Sequence, residues 1–129
     1  MDIRDIGVFA LGSQRIDYLS QQQKVVARNV ANADVPGYRA MKMRPFAEAV
    51  RSASPNAVLS VTHPGHMQGT ASAGPVPMAV VDGNAPASPN GNTVEIEEQV
   101  AQAARTQADH ALATSVYRKA ADMLLAPVR

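Results

Sequence analysis

The chain has no cysteine and no tryptophan, and its only aromatic residues are Phe9, Tyr18, Tyr38, Phe46 and Tyr117. Without thiols there are no disulfides, no thiol catalysis and no cysteine-ligated metal, while the cellular compartment stays open. So few rings leave the packing to small and aliphatic side chains, which favours close helix–helix contact over a bulky globular core. Net charge is +1, too weak a field to draw nucleic acid or an anionic membrane. No run of roughly eighteen apolar residues occurs, which excludes a helix spanning a bilayer. The opening Met1-Asp2-Ile3-Arg4-Asp5 mixes charges, and no clean apolar run with a small-residue cleavage site follows. Charge is also missing from residues 52–92, where Asp82 is the one formally charged side chain. That stretch holds six of the nine prolines and five of the eight glycines, so no helix survives there.

The two ends of the chain are different. Residues 2–33 have helical periodicity, with Phe9, Ile16, Gln23 and Val30 seven apart and Gly12, Leu19, Val26 and Ala33 beside them. This is a seam of the coiled-coil kind, weakened by Gln23 and Gly12. Gly7 and Gly12 disfavour helix by about 1 kcal/mol each, so the first dozen residues are expected to fray, with Ser13 as a second N-cap. Residues 92–125 predict the other long helix. Asn92 as N-cap and Glu95 three places on fit the reciprocal capping pattern, Glu97 and Glu98 suit the dipole, and Pro127 stops the helix. Ile96, Val100, Ala103, Gln107, His110, Tyr117 and Leu124 give one seam. Ala101, Ala104, Ala108, Leu112 and Val116 give a second apolar strip, more than one partner helix requires. At 1.5 Å per residue the helices are roughly 45 and 50 Å long, rods rather than the short helices of a globule.

The fold class expected is therefore mainly α: two long terminal helices paired in a coiled-coil-like hairpin, with an irregular, partly β or disordered middle. Residues 1–38 and 90–129 form the helical domain, and 39–89 form a lateral insertion. Pro45 suits the first position of a short helix near 45–51, with Phe46 and Val50 pinned on the main helix. Leu59–Thr62 and Met78–Val81 predict short strands, and Asp82-Gly83-Asn84 a turn. One helix pair encloses little interior, so the remaining apolar surface is expected to be covered by other copies or partners.

The chain is organised around Asn29-Val30-Ala31-Asn32-Ala33-Asp34-Val35-Pro36-Gly37-Tyr38. Pro36 ends the first helix and disfavours helical geometry at Val35. Pro36-Gly37 suits the centre of a type II turn. Asn29, Asn32 and Asp34 carry short polar side chains able to satisfy backbone groups left over at a helix end, and Asn32 also suits a left-handed C-cap.

These residues resemble the N-terminal signature of bacterial flagellar rod and hook proteins, Ala-Asn-(Asn/Ile)-x-Ala-Asn-x-x-Thr-Pro-Gly-Tyr, with Val35 in place of the usual Thr. Asn90-Gly91-Asn92-Thr93-Val94-Glu95 resembles the approach to the C-terminal helix in the short proximal-rod proteins of FlgB type. Thr62 to His66 resembles a segment of the same branch, and small size argues against hook and distal-rod types. The Pro-Asn-Val-Asp and Ser-Tyr-Gln-Ala-Asn segments usual in the FlgC type are absent. The resemblance covers about residues 13–51, 59–67 and 90–125. It implies a structural subunit of the proximal rod, the shaft that transmits motor torque, in the periplasmic part of the basal body. Export through the flagellar type III apparatus without a cleaved signal peptide is implied too. Implied partners are other copies of itself, the FlgC-type rod protein, the rod–ring adaptor FliE and the membrane-ring protein FliF. Asn29, Asn32, Asp34, Pro36, Gly37, Tyr38, Asn92 and Val94 are the candidate motif and assembly-interface residues.

No catalytic constellation is present. His63 and His66 make an H-x-x-H spacing with no third ligand nearby, and His110 lies far away on the second helix. Glu95, Glu97 and Glu98 read as solvated carboxylates at a helix start, with nothing to bury one and raise its pKa. The serines lack a nucleophile-elbow context, and Gly65-His66-Met67-Gln68-Gly69 lacks the lysine of a phosphate loop. Arg39, Lys42, Arg44 and Arg51 form a basic run, which with so few aromatics is read as a solvated face rather than a nucleic-acid site. The reading is of no enzyme, no cofactor or metal, no nucleic acid and no small-molecule substrate. The competing function is a soluble helical adaptor of the cytoplasm, which predicts a discrete folded oligomer.

Overall fold

The computed structural model describes residues 7–52 and 79–126. Along the chain, α1 spans Gly7–Ala31, β1 Met41–Met43, α2 Phe46–Ser52, β2 Ala79–Val81 and α3 Ile96–Leu125. α1 and α3 run antiparallel. Phe9 meets Tyr117 at one end, Arg15 faces Asp109 at 3.4 Å further along, and Asn29 meets Gln99 at the other. This is the mainly helical hairpin with a short β and irregular middle that the periodicity predicts.

α1 begins at Gly7 and runs through Gly12 without a break. At Gly12 the reason is packing, since a Cβ there would lie 3.1 Å from Tyr117 Cδ2. The helix accepts a poor helix former because the facing ring needs the space. Ser13 is not a second N-cap; its hydroxyl donates to the Ala10 carbonyl at 2.9 Å within the same helix.

The buried seam follows only part of the sequence pattern. Phe9, Leu19 and Val26 are buried, whereas Gln23 and Val30 face outward. A straight helix drifts against a strict seven-residue repeat, so one column cannot stay inside along its whole length. On α3 the inward face runs through Gln99, Gln102, Thr106, Ala113 and Tyr117, and Ile96, Val100, Gln107 and Leu124 of the expected seam are exposed. Thr106 is tolerated at the centre because its hydroxyl donates to the Gln102 carbonyl at 2.8 Å. Each buried aliphatic such as Leu19 stabilises the pair by about 2 kcal/mol. The second strip, Ala101, Ala104, Ala108, Leu112 and Val116, is exposed throughout.

The insertion rests on α1. β1 and β2 pair antiparallel, Met41 opposite Val81, Lys42 opposite Val80 and Met43 opposite Ala79, and Lys42 Nζ meets Asp82 Oδ1 at 2.8 Å. That salt bridge and a bond from the Asn84 N–H hold the Asp82 carboxyl below its usual range. The short helix begins at Phe46, one residue after the expected start; the Pro45 carbonyl accepts from Glu48 and Ala49. Tyr18 fixes α2 to α1: its hydroxyl donates to the Arg44 carbonyl and its ring meets Phe46 at 5.3 Å. The Arg15 guanidinium lies 5.5 Å from the Tyr18 ring centre and 5.1 Å from that of Phe46. Burial pushes the Tyr18 phenol up, with Arg15 opposing.

Two further expectations are corrected. Asn92 is not the N-cap of α3, which begins four residues later with Glu95 before it and no side-chain cap bond. Asn32 does not adopt the left-handed conformation; among the described residues only Gly37 and Gly91 have positive φ. The strand expected at Leu59–Thr62, the His63–His66 pair, residues 2–6 and Pro127 lie outside the described residues.

Candidate functional site

The exit from α1 and the approach to α3 are locked together by two buried asparagines. Asn29 sits on the last turn of α1 and is fully buried, 0% exposed. Its Nδ2 donates to the Met41 carbonyl at 2.7 Å and to Gln99 Oε1 at 2.9 Å. Its Oδ1 accepts from the Met41 N–H at 3.0 Å and the Tyr38 hydroxyl at 3.3 Å. A buried carboxamide has two donors and two acceptor sites, and all four are used. One side chain therefore ties α1, β1, the turn and α3.

Asn92 does the same from the other motif. It is 2% exposed. Its Nδ2 donates to the carbonyls of Asn32, Ala33 and Val35 at 2.9, 2.8 and 2.8 Å. Its Oδ1 accepts from the Val94 N–H at 2.7 Å. The carbonyls at and just past the end of a helix have no partner of their own helix, and leaving them buried costs about 1–3 kcal/mol each. Asn92 thus caps the C-terminal exit of α1 rather than the N-terminus of α3.

Backbone contacts complete the clasp. Tyr38 N–H donates to the Val35 carbonyl at 3.2 Å, closing a turn with Pro36 and Gly37 at its centre and Gly37 at φ 72°. This is the turn the Pro-Gly pair predicts. Gly37 N–H donates to Asn90 O and Thr93 N–H to Tyr38 O, both at 3.0 Å, and Ala40 N–H reaches Thr93 Oγ1 at 2.8 Å. Gly91 has φ 80°, and a Cβ on it would lie 3.4 Å from Gly37 Cα. Asn32 closes α1 locally, its Nδ2 donating to the Arg28 carbonyl at 2.7 Å.

The structure therefore brings Asn29, Asn32, Gly37, Tyr38, Asn92 and Val94 into one cluster. Asp34, Val35, Pro36 and Gly37 present an exposed face of it. Sequence reasoning missed Gln99, which reads as a polar helix position, and Thr93, which stands inside the Asn90–Glu95 motif and whose hydroxyl accepts from the Ala40 N–H just before β1. Asn90 and Gly91 were visible as motif letters but not as turn geometry.

A second feature lies at the opposite end of the hairpin. Leu11, Phe9, Phe46, Leu112, Val116 and Tyr117 line an open apolar groove of about 430 Å³. Leu112, Val116 and Met123 are each at least 60% exposed. Among the described residues no three metal-ligating groups converge, and no helix is long and apolar enough to cross a membrane.

Residues 18–39, the second half of α1 and the turn, match the family of flagella basal body rod proteins. A curated relative, the flagellar basal body rod protein FlgB of Agrobacterium fabrum (strain C58 / ATCC 33970), is 34% identical over 65 residues. The match covers 50% of this chain and 48% of that protein, so it spans about half the length of the relative. Both similarities are to flagellar basal body rod proteins, and the second is to one of FlgB type.

Proposed function

We propose that this chain is a structural subunit of the bacterial flagellar basal body rod, of the FlgB type, which self-assembles through its terminal helices into the proximal drive shaft. The observation that carries this reading is the outer face of α3. The helix has 30 residues, and its inner face is already paired with α1. Ile96, Val100, Leu112, Val116, Met123 and Leu124 remain exposed on the rest of it. A lone subunit that leaves so many aliphatics wet gains by burying them against neighbours.

In this account the clasp supplies rigidity and the outer strip supplies adhesion. Torque passes between subunits only if each one resists shear between its own helices. The buried asparagines provide that resistance, because sliding α1 along α3 breaks the Asn29–Gln99 bond and those of Asn92 to Asn32, Ala33 and Val35 together. The alanines at 101, 104 and 108 allow close approach of a second helix. The exposed Asp34–Gly37 turn is a further contact surface between subunits. Neighbours in the rod are other copies, the FlgC-type rod protein, the adaptor FliE and the ring protein FliF. The chain reaches its periplasmic position through the flagellar type III export apparatus.

Gene deletion with complementation tests the reading. Deletants are expected to be non-motile, to lack rods on isolated basal bodies, and to recover both with the intact gene. Normal swimming by the deletant contradicts it.

A further inference from the structure

We propose that Asn90-Gly91 is a latent deamidation site held inactive by the clasp, so that its conversion records clasp opening and, where the product is isoaspartate, then prevents reclosure. Asn90 is the one asparagine in the sequence followed by glycine. Spontaneous deamidation begins when the backbone nitrogen of the next residue attacks the asparagine side chain, and a Cβ on that residue obstructs the approach. Asn29, Asn32, Asn56, Asn84 and Asn92 all precede residues carrying one. Both Asn90 and Gly91 are exposed to water and hydroxide.

The chemistry is balanced without a cofactor. Hydroxide removes the Gly91 N–H proton, the nitrogen attacks Cγ of Asn90, and an N–Cγ bond forms as the Cγ–Nδ2 bond breaks. Nδ2 takes a proton from water, regenerating hydroxide, and leaves as ammonia, and a succinimide ring remains. Water opening the ring at the side-chain carbonyl gives aspartate; opening at the main-chain carbonyl gives isoaspartate.

In the closed clasp each group this reaction needs is engaged elsewhere. The Gly91 N–H donates to the Ser88 carbonyl at 2.8 Å, so its proton and direction are both committed. Asn90 Oδ1 accepts from the Asn92 N–H at 3.0 Å, which turns the side chain along the loop. The Asn90 carbonyl accepts from Gly37 N–H at 3.0 Å, and Ser88 N–H donates to the Asn92 carbonyl at 2.8 Å. The residues Ser88 to Gly91 form a turn with Pro89 and Asn90 at its centre. Ring closure needs the peptide between Asn90 and Gly91 to rotate, which breaks these bonds together.

The isoaspartate product is incompatible with the closed form. Isoaspartate adds a main-chain carbon between residues 90 and 91, so the Asn90 carbonyl and the Asn92 amide can no longer both reach the turn at 35–37. The aspartate product keeps a side-chain oxygen where Asn90 Oδ1 accepts the Asn92 N–H, and so remains compatible with closure. None of this depends on the rod assignment.

The test uses the purified full chain at mildly alkaline pH, folded and in urea, with peptide mapping and isoaspartyl methyltransferase labelling. In urea, position 90 is expected to convert first among the asparagines. Folded, its conversion is expected to be at least about tenfold slower, as local opening limits it. Asn92→Ala is expected to approach the urea rate. Thr93→Val removes only the hydroxyl that serves Ala40 and should fall between, with helicity by circular dichroism preserved. Equal rates in folded and unfolded wild type overturn the gating. So does a folded Thr93→Val chain whose rate matches wild type while its Gly37 and Thr93 amide protons exchange faster. Earlier conversion at another asparagine in urea overturns the site.

Discussion

Asn92 Nδ2 donates to the carbonyl of Val35 at 2.8 Å, across 57 positions of sequence, and the same nitrogen reaches the carbonyls of Asn32 and Ala33. The second motif is a cap for the helix that the first motif ends. This relationship makes Asn92→Ala the most informative clasp substitution. It leaves the Ala33 carbonyl without its donor and takes one donor from the carbonyls of Asn32 and Val35, which keep the N–H groups of Val35 and Tyr38, and is expected to cost about 2 kcal/mol, read as a lowered urea midpoint.

Asn92→Asp separates the loss of the donor from the loss of the side chain. A carboxylate facing three carbonyls is repelled, so at neutral pH it should be less stable than Asn92→Ala. Its carboxyl pKa is then raised in the folded state, and its stability is greatest below the unfolded pKa and lost as pH rises through the folded one. Melting Asn92→Asp at a series of pH values should show its deficit shrinking toward about pH 4. A constant deficit contradicts the geometry.

Gly12 tests the tight end of the hairpin. Gly12→Ala sets about 1 kcal/mol of helix propensity against a 3.1 Å approach to Tyr117, and should be near neutral. Gly12→Val must displace the ring and is expected to destabilise by about 2 kcal/mol. Thermal melts of both variants check this, with near-ultraviolet circular dichroism reporting the Phe9–Tyr117 contact.

Asp82 sets an acid limit for the pairing of β1 with β2. Its folded pKa is lowered, mainly by the Lys42 side chain, so the stability it adds is present above the unfolded pKa of about 4 and lost as pH falls through the folded value. Amide exchange at residues 79–81 should speed up in that acid range, and Asp82→Asn should be fast at every pH. The pair is exposed on the Lys42 side, so added salt should narrow the difference.

Tyr18 behaves in the opposite sense. Its folded pKa is raised by burial, so its contribution is present below about pH 10 and lost as pH rises through the folded value. Tyr18→Phe leaves the Arg44 carbonyl without its donor and is expected to cost about 1 kcal/mol at neutral pH. Phenolate absorbance titration, compared with helicity, reads both.

What was legible in the sequence divides along physical lines. Helix identity, the antiparallel pairing and the Pro36-Gly37 turn follow from local rules: periodicity, breakers and the freedom of glycine at positive φ. The inward face of α3 did not follow, because its buried positions are small or polar, and Thr106 satisfies its hydroxyl within its own helix. Asn92 matched a capping pattern by spacing, but a carboxamide near a helix start can serve a local amide or a distant carbonyl. Only the tertiary arrangement decides between them. β1 is hidden for a similar reason: Met41-Lys42-Met43 has little strand character until β2 and Asn29 provide partners.

The central claim is that the outer strip of α3 is covered by neighbouring subunits in the rod. Because the chain has no cysteine, Val116→Cys places a single thiol on that strip, where Val116 is 60% exposed in the isolated subunit. Its labelling by a water-soluble maleimide in purified subunit and in intact basal bodies is the direct measurement. The account predicts rapid labelling of the subunit and strong protection in the basal body, with motility retained by the substituted strain. Equally rapid labelling in both contradicts it.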